Sequence, residues 1–306
     1  MRDRATRGNL AKHFQSRTLA TAFGAAIVLL SLILLGYFVY RNWATLTAYH
    51  WRFDPAQLAL TVLLHLCAFF IAIWAWHSII KRLAGAGDLR LNARIYCYSA
   101  VARRLPGIAW DIATRVVMYD QAGVSKAVAG VASLLEFLLI NLAGVVFYIA
   151  LTPLTLSYTE LSTWPLVSAL ALGLALTHPR LVTYIVRKVK KHALPVSLGY
   201  RDTVQWLLIY ILSWSIGGLL LYATVRSIYD ALSPTYVLQV IADWTLVGVI
   251  TSFMNFVPMG LGLKEVTLTV LMSRYMPEYI AVAAAIFMRL LMTAYSILWM
   301  LVSTRL

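Results

Sequence analysis

The chain has 306 residues, of which 61% are hydrophobic and 12% charged, where soluble domains run at about 45–50% and about 25%. That balance places it among integral membrane proteins and excludes a soluble globular enzyme. Lys and Arg outnumber Asp and Glu by 26 to 12, but the basic residues sit in short connections between apolar runs, a pattern of membrane orientation and contact with anionic headgroups rather than of nucleic-acid binding.

The chain opens on the basic tract "MRDRATRGNLAKHFQSR". The uncharged run from Leu19 to Tyr40 that follows is too long for a signal-peptide core of about 7–15 residues, so the first helix is expected to stay in the membrane. At about 1.5 Å per residue, roughly 20 residues cross a hydrocarbon core of about 30 Å. Helical spans are predicted at 19–40, 56–80, 127–151, 203–225, 236–257 and 278–302, with a shorter seventh near 164–177 that ends where Pro179 forbids a regular continuation. The stretch "RLVTYIVRKVKKH", 180–192, sets Leu181, Ile185 and Val189 at helical spacing against Arg187, Lys188, Lys190 and Lys191, as in a helix lying at the interface.

Lys and Arg alternate between connections. The N-terminal tail holds five, 81–126 eight and 178–201 six, whereas 41–55, 152–163 and 226–235 hold two, none and one. A cytoplasmic N-terminus in a bacterial-type inner membrane follows, and the C-terminus is expected on the opposite side if 258–277 does not itself cross. Trp and Tyr near span ends (Tyr37, Tyr40, Trp43, Trp74, Trp76, Trp164, Trp206) read as interfacial anchors. Cys67 and Cys97 read as packing residues, with neither a disulfide framework nor a metal-type spacing. His65 and His77 have no plausible third ligand, so no metal is expected. Gly217-Gly218 reads as a site of close helix packing.

Two segments fit neither a span nor an ordinary loop. In 96–125, Tyr96 to Leu105 suits one short helix, Pro106-Gly107 a turn, and Ile108 to Asp120 a second helix in which Asp111 and Arg115 stand one turn apart and can pair; Arg103 and Arg104 precede the turn. In "FVPMGLGLKE", 256–265, Pro258 removes a backbone donor while Gly260 and Gly262 permit positive φ and close approach, and a short amphipathic helix follows from about Leu263 to Met276. Exposed to lipid, such turns would leave peptide groups unpaired at several kcal/mol each. They therefore belong inside protein, around a wet cavity, or on the aqueous surface as connectors. Paired interruptions in the two halves of a chain point to a transport site built from re-entrant helices.

The order and spacing of "RRLPGIAWD", "AGVS" and a following glutamate at 103–136, together with "FVPMGLGLKE", resemble the lysylphosphatidylglycerol synthase transmembrane family, a flippase-type membrane domain. The resemblance covers nearly the whole chain. Pro106, Gly107 and Trp110 match its first motif, with Ile108 and Ala109 at positions often more polar. Pro258, Gly260, Leu261, Gly262 and Glu265 match the second, with Met259 where a glycine is usual. It implies an all-α polytopic bundle of about seven spans plus two re-entrant segments. The synthases carry a soluble aminoacyl-transferring domain after the membrane part; this sequence shows none, and it is expected not to make the lipid.

A charge at the bilayer centre costs at least about 2.5–3.5 kcal/mol, which marks Glu136, Asp243 and Arg289 inside predicted spans. Either Arg289 neutralises one or both acids and locks the bundle, or the three form a polar path for a headgroup. Lys264 and Glu265 start the second broken helix, where free N–H groups favour an anion; Arg103, Arg104 and Arg115 offer a second phosphate contact, or snorkel to lipid. No nucleotide-binding, zinc-binding or nucleophile-elbow pattern occurs, so no cofactor is expected and movement would be passive or ion-coupled. The leading expectation is a flippase for an anionic phospholipid or polyprenyl-linked lipid. Its rivals are an intramembrane transferase using Glu136, Asp243 or Glu265 as base, and a scaffold for a partner glycosyltransferase.

Overall fold

A computed structural model describes residues 33–34, 36–103, 109–155, 164–189, 198–254 and 262–305. Among them the structure is helical and without strands. The predicted span 19–40 and the turn residues Arg104, Pro106, Gly107, Pro258 and Gly260 lie largely or wholly outside the described residues.

A short α1 (Trp43–Ala48) precedes the long α2 (Pro55–Ala84). Asp54 caps α2 by accepting from the N–H groups of Ala56 and Gln57, and Pro55 starts it where its missing donor costs nothing. Gly85, at φ 74°, ends it in the left-handed conformation. Then follow α3 (Leu89–Ala102), α4 (Trp110–Gln121), α5 (Lys126–Leu151), α6 (Trp164–Leu176), α7 (Pro179–Val189), α8 (Tyr200–Ile228), α9 (Val237–Met254), α10 (Leu263–Met272) and α11 (Glu278–Ser303). Five helical stretches, carried by α2, α5, α8, α9 and α11, are long and apolar enough to cross a membrane. The count rises to six if α6 and α7, bent by 49° at the Thr177-His178 break before Pro179, form one span.

The predicted boundaries hold to within a few residues for these spans. In α7 the buried side differs from the expected stripe: Val182 and Val186 pack inward, while Leu181 and Ile185 remain exposed. A helix bathed in lipid has no reason to hide every apolar side chain, so the two valines that fit the protein surface decide its rotation.

Aromatic and polar contacts fix helix directions. Phe53 meets Phe287, His65 stacks on Tyr295 at 4.1 Å, and Phe69 stacks on Trp299 at 4.5 Å. These pairs advance together along α2 and α11, so the two helices run parallel. At the first end, Asn42 donates to Glu278 at 2.8 Å. The C-terminus is expected on the opposite side only if 258–277 does not itself cross; that condition is not met, and Ser303 lies on the same face as the end of α2. The physical reason is α10. Tyr275, just past its end, donates to Asp243 and stacks on Tyr236 at the start of α9, so α10 leads the chain back toward the face from which α9 set out.

Small residues allow the tightest helix contact. A Cβ at Gly218 would lie 2.6 Å from the Ile241 Cα, and one at Gly217 would lie 2.5 Å from the Trp244 Nε1. The expected role of this glycine pair in close packing of α8 against α9 is thus borne out.

Candidate functional site

Three of the helices too short to span carry the candidate site. At 14, 12 and 10 residues, α3, α4 and α10 measure about 21, 18 and 15 Å. α3 and α4 form an antiparallel hairpin in which Asn92 faces Tyr119, Ser99 faces Arg115, and Arg103 faces Asp111. The hairpin opens toward the face where α2 ends. The pair formed by α9 and α10 opens toward the opposite face, with Lys264 at the start of α10 lying 3.8 Å over the ring of Trp244, midway along α9. The two interrupted segments therefore open toward opposite faces.

Arg115 stands at the centre of the first hairpin's contacts. It is only 2% exposed and forms an ion pair with Glu136, near the middle of α5. Its Nε donates to Ser99 Oγ at 3.0 Å, and its guanidinium lies 3.9 Å from the Trp76 ring and 5.1 Å from that of Tyr96. Tyr210 of α8 donates to the other Glu136 oxygen at 3.2 Å. Arg115 Nη2 is buried with no hydrogen-bond partner. The chain of polar contacts continues from Trp76 Nε1 to the Tyr119 hydroxyl at 2.9 Å, from that hydroxyl to Asn92 Oδ1 at 2.6 Å, and from the Asn92 amide to His77 at 2.8 Å.

The expected pairing of Asp111 with Arg115 is corrected. Asp111 pairs with Arg103 at 3.0 Å nearer the surface, because Arg115 faces the bundle and α5 presents it a carboxylate. Burial raises the Asp111 carboxyl, but the guanidiniums of Arg103 and Arg115 outweigh it and hold the group below the usual carboxylate range. Trp110 opens α4 and is exposed.

The second cluster belongs to α9, α10 and α11. Gly262, at φ 91°, precedes α10, where no side chain caps the helix. That conformation would strain any residue with a Cβ. Glu265 pairs at 2.7 Å with Arg289, near the middle of α11. Glu265 Oε2 and the hydroxyl of Thr269, one turn on, are buried without hydrogen-bond partners. Asp243 accepts from Gln239 at 3.0 Å and from Tyr275 at 2.9 Å, and forms no ion pair among the described residues. The reading in which Arg289 neutralises Glu136 or Asp243 is therefore corrected: it neutralises Glu265, and Arg115 serves Glu136.

Each predicted charge within a span thus has an ordered partner, but the acids and Arg289 do not form one group. The two buried ion pairs, Arg115 with Glu136 and Glu265 with Arg289, stay within their own halves, whereas Arg41 with Glu278 and Arg82 with Asp202 link the two. α5 and α9 nevertheless touch through Ser252, which donates to Asn141, one and a half turns beyond Glu136. Sequence reasoning missed Tyr210, Ser99, Tyr119, Asn92, Gln239, Tyr275 and Thr269. Polar residues inside apolar helices were the available signal for Gln239 and Tyr210; the rest lie in segments where polar residues are unremarkable. Trp76 and Trp206, read as interfacial anchors, are instead buried and donate to Tyr119 and Ser78. Tyr37, Tyr40, Trp43 and Trp74 are exposed, as anchors require.

Among the described residues no group of His, Cys, Asp and Glu has the arrangement of a metal site. His65 instead accepts from Trp299 Nε1 at 3.2 Å. No protein-family model matches the chain, and no curated protein matches it.

Proposed function

We propose that this protein moves the polar headgroup of a membrane lipid between leaflets, as a flippase-type transporter of about seven spans with two re-entrant hairpins. The observation that carries the reading is the opposed pair of short-helix hairpins, each delivering a charged side chain to a charge near the middle of a full-length helix: Arg115 to Glu136, and Glu265 to Arg289. Broken helices entering from two faces are the arrangement by which transporters hold a polar group at mid-depth. The unsatisfied Arg115 Nη2 and Glu265 Oε2 supply a donor in the first hairpin and an acceptor in the second, and an unsatisfied buried group costs about 1–3 kcal/mol unless something pairs with it. The resemblance of 103–136 and 256–265 to the lysylphosphatidylglycerol synthase transmembrane family supports the same substrate class, an anionic phospholipid or polyprenyl-linked lipid. The basic connections support a cytoplasmic N-terminus in a bacterial-type inner membrane.

The test is reconstitution. Liposomes containing the protein should translocate a fluorescent phospholipid or polyprenyl-phosphate lipid, and Glu265→Gln, which keeps the shape but weakens the hold on Arg289, should slow it. Failure across a broad lipid panel would sink the reading.

A second reading rests on Asp243, a buried carboxylate held by two neutral donors, which suits a general base in an intramembrane transferase. Its signature is a chemically altered lipid, visible by mass spectrometry when strains with and without the protein are compared.

A further inference from the structure

An apolar hollow lies away from both charged clusters, on the side of the bundle where α2 ends. Its volume is about 570 Å³, within the range of about 300–1,000 Å³ of small-molecule sites. Phe70 and Trp74 of α2, Ala93 and Cys97 of α3, Leu212 of α8 and Trp299 of α11 form its walls, and the only charged side chain lining it is that of Arg90. Several of these walls face outward: Phe70, Trp74 and Leu212 are about half exposed. An adjoining hollow of about 630 Å³ shares Trp74 and Ile209 and adds Arg201 and Gln205.

We propose that this groove binds one anionic phospholipid from the surrounding leaflet, with an acyl chain in the apolar trough and the phosphate at a mouth flanked by Arg90 and Arg201. The argument is charge complementarity. Neither arginine forms an ion pair among the described residues, and the carboxylates next to them in sequence are engaged elsewhere. Asp88 caps α3 through the N–H groups of Arg90 and Leu91, and Asp202 pairs with Arg82 at 2.8 Å while accepting from the Gly199 N–H. The mouth is thus left with uncompensated positive charge beside a trough that water has no reason to fill. Two guanidiniums in the headgroup layer attract anionic lipid, and an aromatic trough holds a chain. The inference goes beyond the transport reading and stands or falls independently of it, since it concerns retention of lipid and not movement.

The experiment is native mass spectrometry of the full chain released from nanodiscs containing equal phosphatidylglycerol and phosphatidylcholine. The wild type should keep one phosphatidylglycerol, preferred about tenfold or more, the size expected of two arginines near an anionic surface. The double variant Arg90→Gln, Arg201→Gln should bring the preference to within about twofold while still retaining lipid. Ala93→Trp and Leu212→Trp, which fill the trough from opposite walls, should each lose it, with circular dichroism reporting that the helices persist. Equal retention of the two lipids by the wild type overturns the proposal, as does wild-type retention by both filled variants. A cross-link from Ala93→Cys to a cysteine placed in 19–32 in the lipid-loaded protein also overturns it, because a segment of the same chain would then be the occupant.

Discussion

Breaking the Arg115 and Glu136 pair should expose an asymmetry that follows from burial. Arg115 is 2% exposed and has Glu136 as its ion-pair partner among the described residues, with Ser99 at 3.0 Å and the Trp76 face at 3.9 Å as further support. Glu136→Leu leaves a guanidinium inside the bundle that cannot give up its proton, and removal of one member of a buried pair costs about 3–5 kcal/mol. Arg115→Met leaves a carboxyl that can be neutralised by a proton and still holds the Tyr210 hydroxyl, so it should cost less, about 2 kcal/mol. The double variant removes both charges and fills their volumes with apolar atoms, and should fall within about 1–2 kcal/mol of the wild type. The expected coupling is therefore at least about 3 kcal/mol, well above the few tenths seen for independent sites. Equilibrium unfolding in mixed detergent micelles, followed by far-ultraviolet circular dichroism, measures all four proteins. Additive single effects, or Arg115→Met costing more than Glu136→Leu, would refute the claim that a desolvated charge dominates here.

Gly218→Ala should destabilise by about 1–3 kcal/mol, since the new methyl would meet the Ile241 backbone at 2.6 Å and backbone cannot turn aside; unchanged unfolding would show that α8 and α9 separate freely. Single-cysteine labelling in intact vesicles checks the helix directions. Labels at Ala86 and Arg305 should react from one side and a label at Asp230 from the other, whereas a residue-305 label behaving like the Asp230 one would overturn the parallel course of α2 and α11.

What the sequence determined by itself was the solvent and the punctuation. Long apolar runs can satisfy their backbone in lipid only as helices, so the spans at 56–80, 127–151, 203–225 and 278–302 were legible to within a few residues, as was the break at Pro179. Glu136, Asp243 and Arg289 were legible as anomalies because charge in hydrocarbon is costly wherever it points, and Glu265 by its place after the glycine turn. The partners were decided only by the tertiary structure. Residues 115 and 136 meet because a hairpin folds back against α5, and 265 and 289 meet because α10 returns beside α11; neither relation is written in local spacing. Direction was hidden for a related reason. Counting basic residues orients connections but cannot say whether a short helix such as α10 carries the chain onward or back, and that single return sets the face on which Ser303 lies.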